Sequence, residues 1–313
     1  MTSTRHVLVV GASGMLGRAL RRELEGDDRF RVTCTAMSRV GPGMRALDLT
    51  ADEATIFAFV DALKPTVVVN CAAERDPERA AKDPVGTTRL NVAGAEKLAR
   101  ACALAGASLV HLSTDYVFDG GVHTGVAAPY DIDARPHPLN LYAETKLASE
   151  VAVLGVPDAR ALVVRVPVLY ARDCVDLSES ASLTVAMALL PPRAPARVDD
   201  WGVRFPTLVD DVAEVLRALI ALKTRGDDAC GILHVSSPHA TTKYDLAVRM
   251  AQALGVSSAH LEADGQPPGG EPRPQNTQLE CARTWRLLGG QHPFCSLDAG
   301  LKLALEPFKA RFS

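Results

Sequence analysis

The chain lacks any CxxC pair. Its seven cysteines stand singly at positions 34, 71, 102, 174, 230, 281 and 295, an odd number with no two close together. That spacing signals neither a zinc site nor a disulfide framework, so no metal is expected and a reduced, cytoplasmic setting is the simplest reading. Long apolar runs are missing too. The stretch from Val7 to Val10 is far shorter than the apolar region of a signal peptide, and no segment approaches the ~20 apolar residues that cross a bilayer, so no membrane association is expected. Nor is there an excess of either charge. With 34 Lys+Arg against 37 Asp+Glu, the net charge of -3 leaves no basic field for a phosphate backbone, and nucleic acid is not an expected partner.

What is present suits a globular enzyme-sized chain: 47% hydrophobic and 23% charged residues over a length of 313, about twice the usual domain size. Short β-branched runs alternate with helical stretches through the first half. The pattern predicts strands at 6–10, 31–35, 66–70, 108–113 and 161–166, with helices near 15–24, 54–63, 86–105 and 142–153. This is the α/β class, a Rossmann-type doubly wound parallel sheet. After Tyr170 the composition changes. A helical stretch at 183–190 runs into Pro191-Pro192, 241–254 reads as a capped amphipathic helix, and PPGGEPRP, ending at Pro274, cannot form a regular element. The expected division is a dinucleotide-binding domain over 1–170 and a smaller helix-rich C-terminal lobe over 171–313, with the strand-like 231–235 returning to the first sheet.

Val7 to Gly17 reads VLVVGASGMLG, a continuous apolar strand entering a G-x-x-G-x-x-G turn that opens a helix. Gly11 permits the tight turn, Gly14 lets backbone approach a pyrophosphate, and Gly17 allows close helix packing. A turn without a ligand is the alternative, but the position at the start of a βαβ unit favours a dinucleotide. NAD-selective sites usually carry an acidic residue about 20 residues on. That region here reads Ala36-Met37-Ser38-Arg39, with no carboxylate, so Arg39 points to the 2′-phosphate of NADP. The alternative for Arg39 is a solvated loop arginine. Asp48 and Leu49 are expected near the adenine, and the Arg18, Arg21, Arg22 cluster reads as the exposed face of the first helix.

Of the five tyrosines, only Tyr142 has a lysine four residues later, Lys146. Four residues is one helical turn, so both share a face. A neighbouring ammonium favours the phenolate, which fits the pair to exchange a proton with a carbonyl oxygen. The spacing is common by chance. Ser113-Thr114 at the carboxyl end of a predicted strand adds a hydroxyl at the edge where ligands of open α/β sheets lie, although Thr114-Asp115 also reads as a turn or helix cap.

Taken together, these segments resemble a known family. They are Gly11-x-x-Gly14-x-x-Gly17, NCAA ending at Ala73, Leu90-Asn91-Val92, STDYVFDG beginning at Ser113, PLNLY ending at Tyr142 with Lys146, and Arg273-Pro274-x-Asn276. The set is similar to the extended short-chain dehydrogenase/reductases, in the branch that contains the dTDP-4-dehydrorhamnose reductases. CAAER ending at Arg75 and followed by Pro77, WGVRFPT from Trp201, TKYD from Thr242 and QLEC from Gln278 are closer to the regulatory β subunits of methionine adenosyltransferase. The resemblance implies an NADP(H)-binding Rossmann domain. It also implies a C-terminal lobe that holds a nucleotide-sugar-like ligand or serves as a surface for a methionine adenosyltransferase catalytic subunit, in S-adenosylmethionine biosynthesis. It carries the catalytic set onto Thr114, Tyr142 and Lys146, with Asn91 in support. It carries cofactor contacts onto Ser13, Gly14, Met15, Leu16, Arg39, Asp48, Leu49, Cys71, Ala72, Ala73, Arg75 and Leu169. The alternative function is an active NADPH-dependent reductase of a 4-keto-6-deoxy nucleotide sugar or related ketone, with Tyr142 as proton donor. In the regulatory subunits a longer aromatic, basic tail docks into the catalytic subunit. Here Phe308 and Phe312 are either such anchors or the cover of the chain's own core.

Overall fold

In the computed structural model, which describes residues 4–226 and 229–312, strand and helix alternate from the start: β1 (Arg5–Val10), α1 (Met15–Glu25), β2 (Phe30–Ala36), β3 (Met44–Ala46), α2 (Glu53–Leu63), β4 (Val67–Asn70), α3 (Pro77–Lys82), α4 (Pro84–Thr88), α5 (Ala95–Ala105), β5 (Ser108–Thr114), α6 (Leu141–Leu154) and β6 (Leu162–Val166). Then follow β7 (Leu169–Tyr170), β8 (Ala196–Asp199), β9 (Thr207–Leu208), α7 (Val209–Thr224), β10 (Gly231–His234), α8 (Lys243–Leu254), β11 (Leu261–Asp264), α9 (Ala282–Leu288) and α10 (Leu297–Leu305).

Seven strands form one parallel sheet in the order β10-β6-β5-β4-β1-β2-β3. Every residue of β4, β5 and β6 is buried. That is what parallel strands covered by helices on both faces require. Alternation divides the core: Val7 and Val9 face the layer that holds Leu20 of α1 and Leu216 of α7, whereas Leu8 and Val10 face Val60 of α2 and Leu98 of α5. The strand expected at 231–235 does return to the sheet, as β10 beside β6. Helix α7 packs on α1, so the chain after Tyr170 supplies both an edge strand and a covering helix.

Two expected helices differ in kind. The stretch 86–105 is not one α-helix: after α4 comes a π-helical turn, Arg89–Gly94, before α5. Its wide turn carries Asn91, which is tied to the backbone of Glu74, while a Cβ on Gly94 would stand 3.0 Å from Leu49 Cβ. The stretch 183–190 is a 3₁₀-helix, Leu183–Leu189. The proline-rich connection before β-bridge residue Asn276 has no regular element, as expected, and hugs the surface over the site. Asn140 donates to Pro272 O at 2.8 Å and Val203 to Gln275 O at 2.7 Å.

Phe308 and Phe312 are buried at 5% and 1% exposure in the same apolar cluster as Leu246 and Leu301, and Arg193 donates to Phe312 O at 2.5 Å. They cover the chain's own core. Phe312→Ala is therefore expected to destabilise the fold by about 3–5 kcal/mol in chemical denaturation. An unchanged midpoint would show that the ring is not a core residue.

Candidate functional site

The carboxyl end of β1 lies at the point where strand order reverses, with β2 on one side and β4 on the other. Here the chain turns within a few residues into α1. Gly11 takes φ +80°, and a Cβ on it would stand 2.7 Å from Ala72 N; a Cβ on Gly17 would stand 2.4 Å from Gly11 O. No other side chain fits either position. Gly14 occupies the N-cap of α1 without a side-chain cap, and no acidic residue stands in the first turn. The unpaired amides and positive end of α1 are thus left to face a cavity of about 450 Å³. Bare backbone, an uncapped helix start and that volume fit a dinucleotide pyrophosphate.

The cavity brings together most of the residues singled out in the sequence. Gly11, Ser13, Gly14, Met15, Leu16 and Gly17 line one end; Leu49, Cys71, Ala72, Ala73, Arg75 and Leu169 line its walls; Thr114, Tyr142 and Lys146 lie at the other end, and Arg39 at the rim. Burial pushes the Cys71 thiol up to about 12, so it stays protonated. Two residues are elsewhere. Asp48 is exposed and accepts from both the amide and the hydroxyl of Thr50 at 2.7 Å. Asn91 is buried behind the wall. It accepts from Glu74 N at 2.8 Å and donates to Glu74 O at 2.9 Å and Thr145 Oγ1 at 3.1 Å, which joins the loop after β4 to α6. Of the arginines expected on the exposed face of α1, Arg22 is exposed and Arg18 half-buried. Both pair with Asp173, and Arg18 reaches Glu179 at 2.9 Å.

Asn140 caps α6, accepting from Ala143 N at 3.0 Å, and this sets Tyr142 and Lys146 on the helix's first turns. Burial raises the Tyr142 phenol, and a hydrogen bond with Thr114 works against that rise. Thr114 Oγ1 accepts from Tyr116 N at 3.2 Å and donates to Asp115 Oδ1 at 3.2 Å, so the hydroxyl caps a short 3₁₀ turn. Lys146 Nζ donates to Leu112 O at 2.7 Å, and burial brings the ammonium down to about 8. Behind it lies a chain of buried groups. Ala72 N–H donates to Asn70 Oδ1 at 3.1 Å, which turns the Asn70 amide nitrogen toward His111 Nδ1 at 3.2 Å. His111 then carries its proton on Nε2, where Ser149 Oγ lies at 2.9 Å and Lys146 Nζ at 3.3 Å. The Nε2 proton goes to Ser149 Oγ, which itself donates to Lys146 O at 2.7 Å, and burial together with Lys146 keeps His111 neutral.

Sequence reasoning missed the group that anchors this end. Glu150, one turn beyond Lys146, accepts from Arg165 Nε at 2.9 Å, Arg165 Nη2 at 2.7 Å and Ser113 Oγ at 2.5 Å; the paired side chains are 2% and 1% exposed. The signal was an arginine inside the apolar strand Leu162–Val166. Asp115 and Tyr116 also line the cavity; burial lifts Asp115 to about 6. Among the described residues no His, Cys, Asp or Glu cluster is arranged to hold a metal, and no helix is long and apolar enough to cross a membrane.

A sequence profile of the RmlD substrate binding domain matches residues 5–308. The chain belongs to this family. Among its relatives, the methionine adenosyltransferase 2 subunit beta of Xenopus laevis is 39% identical over 307 residues, covering 97% of this chain and 88% of that protein. A dTDP-4-keto-6-deoxy-D-glucose reductase of Streptomyces niveus is 34% identical over 274 residues, 87% of each. The fold matches that of dTDP-4-dehydrorhamnose reductase from Bacillus anthracis, solved with NADP, at a TM-score of 0.80 and 24% identity over 98% of this chain and 99% of that one. It also matches MoeE5, solved with UDP-glucuronic acid and NAD, at 0.82 and 20% over 97% and 99%.

The buried lysine gives this site a direct signature. In an NMR titration of isotope-labelled lysine side chains, one resonance is expected to titrate near pH 8 and to vanish in Lys146→Met. Lysines that all titrate near 10 would contradict the site's geometry.

Proposed function

We propose that this protein binds NADP(H) in the cavity at the carboxyl end of β1 and acts as a regulatory β-type subunit of a methionine adenosyltransferase. The observation that carries the reading is the 39% identity to a methionine adenosyltransferase β subunit across 97% of the chain. The cavity supports the dinucleotide, and the lack of a carboxylate at the end of β2, where Met37, Ser38 and Arg39 line the cavity, supports the 2′-phosphate form. On this reading residues 1–170 carry the dinucleotide, and 171–313, apart from α7 and β10, supply the face for a ligand or partner. A pull-down of the methionine adenosyltransferase catalytic subunit from the same source, with and without NADPH, is expected to retain that subunit and to change its kinetics. No association and unchanged kinetics would defeat the reading.

One observation favours a second reading, a working reductase of a 4-keto-6-deoxy nucleotide sugar. Thr114, Tyr142 and Lys146 all line one cavity, and Lys146 is held there by its hydrogen bond to Leu112 O. When bound, the reduced dinucleotide supplies the hydride. Tyr142 would give its phenolic proton to the ketone oxygen as that oxygen gains charge, Thr114 would donate a second hydrogen bond to it, and Lys146 would stabilise the phenolate left behind. The protonated lysine dominates below pH 8, so turnover on this reading falls as the pH rises past 8. Oxidation of NADPH with a dTDP-4-keto-6-deoxy sugar is expected to drop by about 10²–10⁴-fold in Tyr142→Phe. Turnover in the wild type no higher than in that variant would remove the reductase reading.

A further inference from the structure

The segment after β7, residues 171–182, crosses the arginine face of α1 as a strap. Arg18 donates to Asp173 Oδ2 at 3.3 Å and to Glu179 Oε2 at 2.9 Å, and the same guanidinium donates to Ser13 O at 3.1 Å in the glycine loop. Strap and loop therefore share one cation. Ser180 Oγ donates to Leu169 O at 2.9 Å, Arg75 Nη2 to Glu179 O at 2.6 Å, and Ala181 lines the cavity. These contacts bring the Glu179 carboxylate to the rim, where its Oε1 lies 3.7 Å from Arg39 Nη1. The strand end next to Arg39 in sequence offers no carboxylate. The strap delivers one from far downstream.

We propose that Glu179 is a specificity-determining residue for the dinucleotide: its carboxylate competes with the 2′-phosphate of NADP(H) for Arg39 and narrows the preference over NAD(H). The inference rests on the reading that the cavity takes a nicotinamide dinucleotide. Arg39 is 63% exposed and Glu179 14%, so their pairing is solvent-screened and weak. A phosphate that takes the guanidinium fork in two bonds displaces it. Arg18 still holds the other carboxylate oxygen, so the exchange strands no charge, yet a fixed negative charge remains beside the incoming phosphate and opposes it. NAD(H) brings a ribose hydroxyl there instead, which has no need of Arg39 and can donate to a carboxylate. One residue thus acts in opposite directions on the two cofactors.

Calorimetric titration of NADPH and NADH into the full chain tests this. Glu179→Gln is expected to tighten NADPH by about two- to five-fold, the range of a screened ion pair, while NADH stays unchanged or weakens. Glu179→Asp, which keeps the charge but withdraws it by one methylene, should fall between. A strap merely loosened by substitution would shift both cofactors by the same factor, and that result, or weaker NADPH binding in Glu179→Gln, overturns the proposal. A wild type that binds neither dinucleotide overturns the cavity reading and this inference together. Binding of both with equal shifts overturns the inference alone.

Discussion

The Tyr142 end of the cavity depends on a buried ion pair, Arg165 with Glu150. The two side chains come from β6 and α6, make two hydrogen bonds at 2.9 and 2.7 Å, and are almost wholly removed from water. Such a pair repays its desolvation only when its remaining lone pairs and protons are satisfied; removing one partner costs about 3–5 kcal/mol because the other charge is left stranded. Here the remaining capacity is used. Ser113 of β5 donates to the same carboxylate, the Phe118 ring lies 5.2 Å from the guanidinium, and His234 of β10 stands 3.4 Å from Arg165. One charge pair therefore joins three adjacent strands to α6. Tyr142 and Lys146 sit on that helix and Thr114 on β5, so their mutual geometry is fixed by a charge pair that does not line the cavity.

The opposite end is fixed by backbone rather than by charge. Gly11 and Gly17 approach neighbouring main chain more closely than any Cβ allows, and the corner they form leaves the start of α1 uncapped. A bare-backbone glycine corner and a buried end carrying Tyr142 and Lys146 thus share one cavity. At the glycine corner the loop is partly exposed, whereas at the other end burial lowers Lys146 and raises Tyr142.

Much of this was legible in the sequence, for physical reasons. Continuous apolar runs such as VVVN and the glycine spacing at 11, 14 and 17 allow few structures, and the strands, the sheet type and the two ends of the cavity follow from them. What stayed hidden depends on contacts distant in sequence. The roles of Arg18 and Arg22 require Asp173, more than a hundred residues on, and the carboxylate beside Arg39 arrives on the strap. Asn91 was legible as a supporting residue, but its partners, the backbone of Glu74 and the Thr145 hydroxyl, were not. Asp48, expected near the adenine from its place after β3, stands exposed beside the cavity-lining Leu49, with one carboxylate oxygen holding a local turn to Thr50. The two tail phenylalanines were ambiguous in sequence because an anchor and a core residue are the same side chain, and only burial tells them apart.

The regulatory and catalytic readings share one premise, a dinucleotide lying along the cavity from the glycine corner to Tyr142. A crystal structure of the chain grown with NADPH measures that most directly. The account predicts the pyrophosphate against Gly11, Gly14 and Gly17, the 2′-phosphate beside Arg39, and the nicotinamide facing Tyr142 and Thr114. A cofactor bound in the reverse direction, or on another surface with the cavity left to solvent, would contradict it.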